Sequence, residues 1–169
     1  YDGCDAAHSA GAVPHECGDA GVDVAVWCTY KYLDAGRGSI GALFVAERHH
    51  GLDPALAGWW GHEKATQFEM NMTFTAANSA GAWQIGTPPL LSAAPLEGSV
   101  ELLREAGIDR LRAKSLALTD FLIALVDDRL PAVSVGTPRD RAARGGHVAL
   151  EHPDAERLSA ALTDRGVVV

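Results

Sequence analysis

Apolar positions along the chain fall into two regimes. Val22 to Trp27 and Ala42 to Val45 are unbroken runs of valine, alanine and larger apolar residues, the pattern of strands buried on both faces of an α/β sheet. From Glu47 to Pro95 no period emerges. Aromatics, histidines, glycines and the pair Pro88-Pro89 make this stretch read as a functional loop region. Past Pro95 the spacing turns helical: one helix runs to Ala106 and stops at Gly107, and a second places Ile108, Leu111, Ser115, Leu118, Leu122 and Leu125 on one stripe and ends before Pro131. Ala132 to Val135 and His147 to Leu150 predict short strands. Pro153 to Arg165 predicts a helix with proline in its first turn and Gly166 as its stop, and Gly166-Val167-Val168-Val169 reads as the start of a further strand. This order predicts two subdomains divided along the helix of residues 108–130.

Composition narrows the function classes. At 169 residues with 47% apolar side chains, the chain fits one ordinary globular domain or slightly more. A formal net charge of -8 argues against a phosphate-backbone partner. The one basic cluster, Arg139, Arg141 and Arg144, follows a proline and precedes two glycines, and is expected to be a solvated loop. No apolar run approaches the roughly 20 residues that span a bilayer, and no basic-plus-apolar leader opens the chain. Three cysteines, Cys4, Cys17 and Cys28, form an odd set that reads as reduced thiols, so a soluble cytoplasmic protein is expected. Tyr1 is not an initiator methionine and the chain stops on an apolar run, the expected look of a piece cut from a longer polypeptide.

Candidate chemistry centres on Cys28-Thr29-Tyr30-Lys31-Tyr32-Leu33. Lys31 is one of only three lysines, against eleven arginines, and it closes a buried strand between two phenols. Such a position disfavours the ammonium form and leaves a neutral amine able to attack an aldehyde, which arginine cannot do. The ordinary alternative is a lysine whose head group reaches water. Three further clusters stand out. Asp5-Ala6-Ala7-His8-Ser9-Ala10-Gly11-Ala12 puts a carboxylate before small residues over which a flat ligand can lie close to the backbone, although Asp-x-x-His also suits a capping aspartate beside an ordinary histidine. Gly58-Trp59-Trp60-Gly61-His62 sets two indoles in a loop, as a binding surface or a core pair. Gly86-Thr87-Pro88-Pro89 is a tight turn whose hydroxyl suits a phosphate. The histidines and cysteines match no metal-ligand spacing, so no metal is expected.

In order along the chain, these clusters together with Gly21-Val22-Asp23, Phe44-Val45, Glu47-Arg48-His49 and Arg165-Gly166-Val167 resemble kynureninases. The resemblance covers almost the whole chain. It implies an α/β fold, part of the fold-type I pyridoxal phosphate-dependent transferase (aspartate aminotransferase-like) architecture. Residues 1–107 would be part of the large cofactor-binding domain, 108–130 a connecting helix, and 131–169 the start of the small C-terminal domain. By the same resemblance Lys31 would be the Schiff-base lysine, and Asp5 would pair with the pyridinium nitrogen and keep the ring an electron sink. His8 would hold Asp5. Tyr30 would contact the cofactor phosphate and shuttle a proton, its pKa lowered by cationic Lys31. Trp59 and Thr87 would reach the phosphate region from the neighbouring subunit of a homodimer.

The implied reaction is hydrolysis of L-kynurenine, or its 3-hydroxy derivative, to anthranilate and L-alanine, a step of tryptophan catabolism toward NAD. Gly86-Thr87 resembles the bacterial form that favours kynurenine. Asp34 departs from the family's usual asparagine, Arg37 interrupts a glycine-rich turn, and Cys4 replaces a bulky aromatic. The phosphate-binding loop, stacking aromatic and carboxylate-binding arginine of the family find no counterpart here, so the piece by itself is expected to be inactive. The rival readings are another fold-type I enzyme, such as a class V aminotransferase or cysteine desulfurase, and a metal-binding or structural module using Cys4, His8, His15 and Cys17.

Overall fold

A computed structural model describes residues 1–169, and the chain divides into two compact units, Tyr1–Ile108 and Asp109–Val169.

The first unit is built on a three-stranded sheet in the order β1 (Gly3–Asp5), β2 (Val24–Cys28), β3 (Gly41–Val45). β1 runs parallel to β2, with Asp5 opposite Val26, and β3 returns antiparallel, with Leu43 opposite Val26 and Gly41 opposite Cys28. The first predicted apolar run is thus a strand that starts two residues late and ends one residue further on. Its burial is one-sided where both faces were expected to be covered. Ala25 is fully buried, as are Ala6, Val45 and Ala46, whereas Val26 and Leu43, side by side on the other face, are 47% and 39% exposed.

Asp23 explains the late start of β2. Its buried carboxylate accepts hydrogen bonds from the Asp2 backbone N–H (2.6 Å), from Arg48 Nε (3.0 Å) and from His49 Nε2 (2.5 Å), while its own carbonyl accepts from Ala46 N–H (2.9 Å). One side chain therefore ties the entries of β1 and β2 to the exit of β3. The His49 bond, then the Asp2 amide and the Arg48 guanidinium, hold this carboxyl well below the usual aspartate range, outweighing the opposing effect of its burial. Two sequence clusters, Gly21-Val22-Asp23 and Glu47-Arg48-His49, thereby become one structural feature.

Beyond β3 the chain is irregular, as its lack of period predicted, with short 3-10 turns at Glu47–His49, Trp59–Gly61 and Ala80–Trp83. Helix α1 (Leu90–Ala106) starts five residues earlier than Pro95 suggested and encloses that proline. The carbonyl deprived of its partner by Pro95 belongs to Leu91, which is 92% exposed and can be hydrated instead. Gly107, at φ +80°, ends the helix as predicted.

The second unit carries helix α2 (Ile108–Arg129), a hairpin of β4 (Ser134–Val135) with β5 (Leu150–Glu151), and helix α3 (Ala155–Thr163). The expected apolar stripe of α2 is not the buried one: Leu118, Leu122 and Leu125 are exposed, and the buried side chains are Thr119, Ile123 and Val126. The basic cluster accounts for this and is itself a correction. Arg144 is buried, donates to Thr119 Oγ1 (3.0 Å) and the Arg139 carbonyl (2.8 Å), and pairs with Asp120. Arg141 Nε reaches the same carboxylate (2.8 Å), and Arg139 pairs bidentately with Asp127 (2.7 and 2.8 Å). The loop is strapped to α2 rather than solvated, and it is held there by Thr119, Asp120 and Asp127. Arg112 completes the strap, its guanidinium donating to the carbonyls of Arg141 (2.9 Å), Arg144 (2.8 Å) and Gly145 (3.4 Å). After α3, Gly166 (φ +78°) closes the last turn through Val167 N–H to the Leu162 carbonyl (2.9 Å), and the final valines form no strand.

Candidate active site

Parallel strands deliver their carboxyl ends to one margin of a sheet, and ligands of α/β folds bind along that margin. Asp5 is the last residue of β1, and Lys31 stands three residues beyond the end of β2, the strand beside it. The ladder continues one step past Asp5, with Ala6 N–H donating to the Val26 carbonyl (2.9 Å), so the two exits leave together. The Asp5 carboxylate is exposed and oriented, one oxygen accepting the Ala7 N–H (2.9 Å). Ala6 then opens a tight turn, its carbonyl accepting from Ser9 and Ala10, in which His8 is exposed.

Two features fix the lysine segment. Thr29 is fully buried, and its hydroxyl bonds Ser39 Oγ (2.8 Å) and donates to the Ile40 carbonyl, pinning the exit of β2 to the chain returning into β3. The loop then tightens through Asp34 N–H to Lys31 O (3.0 Å) and Ala35 N–H to Thr29 O (3.0 Å), with Asp34 at φ +53°. Aspartate, like asparagine, is among the residues that tolerate this left-handed position, so the departure at residue 34 leaves the turn intact. Gly11, at φ +89°, lies flush against the loop: a Cβ there would sit 2.5 Å from the Tyr32 carbonyl oxygen. The turn after Asp5 and the loop bearing Lys31 are therefore in contact through a position only glycine can fill.

Lys31 is half-buried, with Nζ 5.8 Å from the Tyr30 ring centroid, and Tyr30 is 49% exposed, so the phenols do not enclose the amine as the sequence suggested. The expected lowering of the Tyr30 pKa is also reversed. A hydrogen bond with the Cys28 side chain, and that side chain's negative charge when ionised, push the phenol above its usual value.

Trp59 and Thr87 belong to a second cluster of the same unit. Trp59, 50% exposed, meets Trp60 edge-on at 5.0 Å and Phe68 at 6.0 Å. The backbone beside it is packed without clearance: a Cβ on Gly58 would fall 1.8 Å from the Ile85 carbonyl oxygen, and one on Gly61 2.3 Å from that of Ala82. Buried His62 pins the turn from below, its Nδ1 accepting from Thr75 N–H (3.2 Å) and its Nε2 meeting Thr66 Oγ1 (3.0 Å), the pattern of a neutral ring protonated on Nε2. The segment on which Gly58 rests leads two residues later to exposed Thr87. Asp5, Tyr30 and Lys31 thus form one group, Trp59 and the approach to Thr87 another, each held by its own contacts. Sequence reading missed Thr29, Gly11 and the Cys28 contact. The visible signals were a hydroxyl residue inside an apolar strand end and a lone glycine in an alanine-rich turn.

The residues at the sheet margin fit a flat, electron-withdrawing aldehyde cofactor: an oriented carboxylate, an amine on the adjoining exit, and small residues between them. Comparison with known proteins points the same way. The chain superposes on a cysteine desulfurase from Thermococcus onnurineus with a TM-score of 0.80 at 20% identity, covering 98% of this chain and 40% of that one. It superposes on a cysteine desulfurase from Escherichia coli with a TM-score of 0.73 at 18% identity, covering 97% and 39%. The fold is that of the fold-type I pyridoxal phosphate-dependent enzymes. Within that class the sequence is more specific: the family model of the kynureninase C-terminal domain matches residues 111–169, and the kynureninase of Geobacillus thermodenitrificans is 49% identical over 168 residues. That of Bacillus cereus ATCC 14579 is 48% identical over 168 residues. The similarity to these kynureninases runs along 98% of the chain, which spans 39% of the length of these relatives.

Proposed function

We propose that this chain carries the lysine-bearing part of a pyridoxal phosphate-dependent kynureninase, hydrolysing L-kynurenine to anthranilate and L-alanine in tryptophan catabolism. The observation that carries the reading is the exit of Asp5 and Lys31 from adjacent parallel strands in a kynureninase-like sequence. When bound, the cofactor supplies an electron sink for the bonds of the substrate α-carbon. Lys31 is the group that holds it covalently and, once freed, moves the α-proton. Asp5, fixed by the Ala7 amide, presents its carboxylate to the ring nitrogen, with His8 beside it. Tyr30 hands a proton to or from the reacting side chain. Trp59 and Thr87 act on the phosphate region from the neighbouring subunit of a homodimer, which suits their placement outside the Asp5–Lys31 group.

On the domain scale, residues 1–107 belong to the large cofactor-binding domain, 108–130 to a connecting helix and 131–169 to the small C-terminal domain; the C-terminal-domain match over residues 111–169 begins within the connecting helix. No helix is long and apolar enough to cross a membrane, and we place the enzyme in the cytoplasm on the way to NAD.

The test is reduction of the natural polypeptide with borohydride in the presence of pyridoxal phosphate, peptide mapping, and an assay of kynurenine turnover. Label on Lys31 with anthranilate release supports the reading. Label without anthranilate leaves a fold-type I enzyme of another substrate, such as an aminotransferase or desulfurase. No label on Lys31 overturns the cofactor assignment.

A further inference from the structure

The segment that follows the Trp59–Gly61 turn bonds back to it. Its base is fixed by Glu63 N–H donating to the Thr75 carbonyl (2.8 Å) and by Thr66 Oγ1 meeting His62 Nε2 (3.0 Å). Two of its side chains then grip consecutive carbonyls of the turn. Lys64 Nζ donates to the Trp60 carbonyl and lies 4.6 Å from the centroid of that ring, and half-buried Gln67 donates through Nε2 to the Trp59 carbonyl (3.0 Å). Gln67 is held at its other end as well, its Oε1 accepting from Lys64 Nζ (3.4 Å). An ammonium only donates and a carbonyl only accepts, so the amide fits between these two groups one way round. Phe68, the next residue, brings its ring to 6.0 Å from the Trp59 indole.

We propose that Gln67 is a positioning residue for Trp59: its amide, oriented by Lys64, holds the Trp59 carbonyl and so sets the direction in which the indole leaves the turn. This rests on the place given to Trp59 at the phosphate region under the proposed function. The peptide that follows Trp59 is planar, so a bond to its oxygen fixes the whole plane and the Trp59 backbone joined to it. On the preceding side Gly58 is seated against the Ile85 carbonyl with no room for a Cβ. The Trp59 backbone is thereby held from both directions. The indole itself is 50% exposed, so side-chain packing covers only part of it and the backbone hold supplies the rest of its definition. A glutamate at position 67 would keep the size and strengthen the contact with Lys64, but it would turn an acceptor oxygen toward the Trp59 carbonyl and repel it.

The test uses the natural polypeptide and two readouts. The first needs no cofactor: acrylamide quenching of Trp59 emission, isolated by subtracting the signal of the matching Trp59→Phe protein. Gln67→Ala and Gln67→Glu are both expected to raise the quenching constant of Trp59. Trp83, isolated in the same way on the neighbouring Ala80–Trp83 turn, stays at its native value, which a general loosening would not allow. The second readout is the dissociation constant of pyridoxal phosphate, expected to rise about 2–10-fold in both variants, the usual worth of one hydrogen bond. Gln67→Glu matches the native side chain in size and keeps the experiment open if the alanine variant does not fold. Native quenching of Trp59 in Gln67→Glu, or a change shared with Trp83, overturns the proposal. So does native cofactor affinity in the Gln67 variants when Trp59→Phe weakens it. Native affinity in Trp59→Phe itself overturns the place given to Trp59, and with it the use of this hold, while leaving the label on Lys31 to decide the kynureninase reading separately.

Discussion

At the scale of single residues, the reactive pair was legible and its surroundings were not. Lys31 and Asp5 could be picked out because a scarce lysine at a strand end and a carboxylate before small residues each break the local pattern. The electrostatics of Tyr30 could not, since they turn on which neighbour acts on the phenol: the sequence offers Lys31 next door, whereas the Cys28 side chain pushes the phenol above its usual value. Replacing Tyr30 with phenylalanine is expected to lower kcat about 10²–10⁴-fold with a smaller change in KM, the usual worth of a positioned proton donor, measurable by steady-state kinetics. Thr29→Val removes a hydroxyl with two partners and leaves the Ile40 carbonyl unsatisfied in the interior. A loss of about 1–3 kcal/mol is expected, read by urea unfolding.

At the scale of elements, both long apolar runs became strands, and both helices after the irregular region formed within a few residues of their expected ends. The misreadings have physical causes. Pro95 looked like a helix boundary, but a proline costs only the bond to the fourth residue before it, and here that residue faces water. On α2 the leucine stripe looked like the core face because apolar count usually decides. A loop bearing Arg139, Arg141 and Arg144 meets Asp120 and Asp127, seven residues apart and so on one side of the helix, and burial moves one residue, about 100°, round from the leucine stripe to Thr119, Ile123 and Val126. Truncating Arg144 to alanine should destabilise the second unit by about 3 kcal/mol, because it empties a buried site and strips a carboxylate of its best-shielded partner; calorimetry or denaturant unfolding checks this. Gly58→Ala is a second element-level test. With the Ile85 carbonyl where a methyl would go, the Trp59 turn must shift, and a change in tryptophan fluorescence is expected along with reduced stability.

At the scale of the whole molecule, fold class followed from strand order and motif, whereas the balance of charge did not follow from a net value of -8. Three aspartates stand in ion pairs that matter to the fold. Asp23, Asp120 and Asp127 all have carboxyls held below the ordinary value of about 3.9, by His49, by Arg141 with Arg144, and by Arg139 respectively. A carboxyl with a depressed folded-state pKa stabilises the protein fully above the unfolded value and loses that contribution as pH falls through the folded one. The melting temperature is therefore expected to be flat near neutrality and to fall steeply below about pH 4. Added salt should weaken the exposed Arg139–Asp127 pair more than the shielded Asp23 cluster. Thermal scans across pH and ionic strength check both, and an acid limb unaltered in the Asp23→Asn variant would remove that residue from the account.

The guanidinium of Arg112 has a mechanical meaning. Because it grasps three carbonyls spread over residues 141–145, it works as a crank pin set on the shaft of α2. Any roll of that helix about its axis must either carry residues 141–145 along with it or break three bonds at once. The loop thus has no independent swing, and its position reports the rotational setting of the helix that drives it.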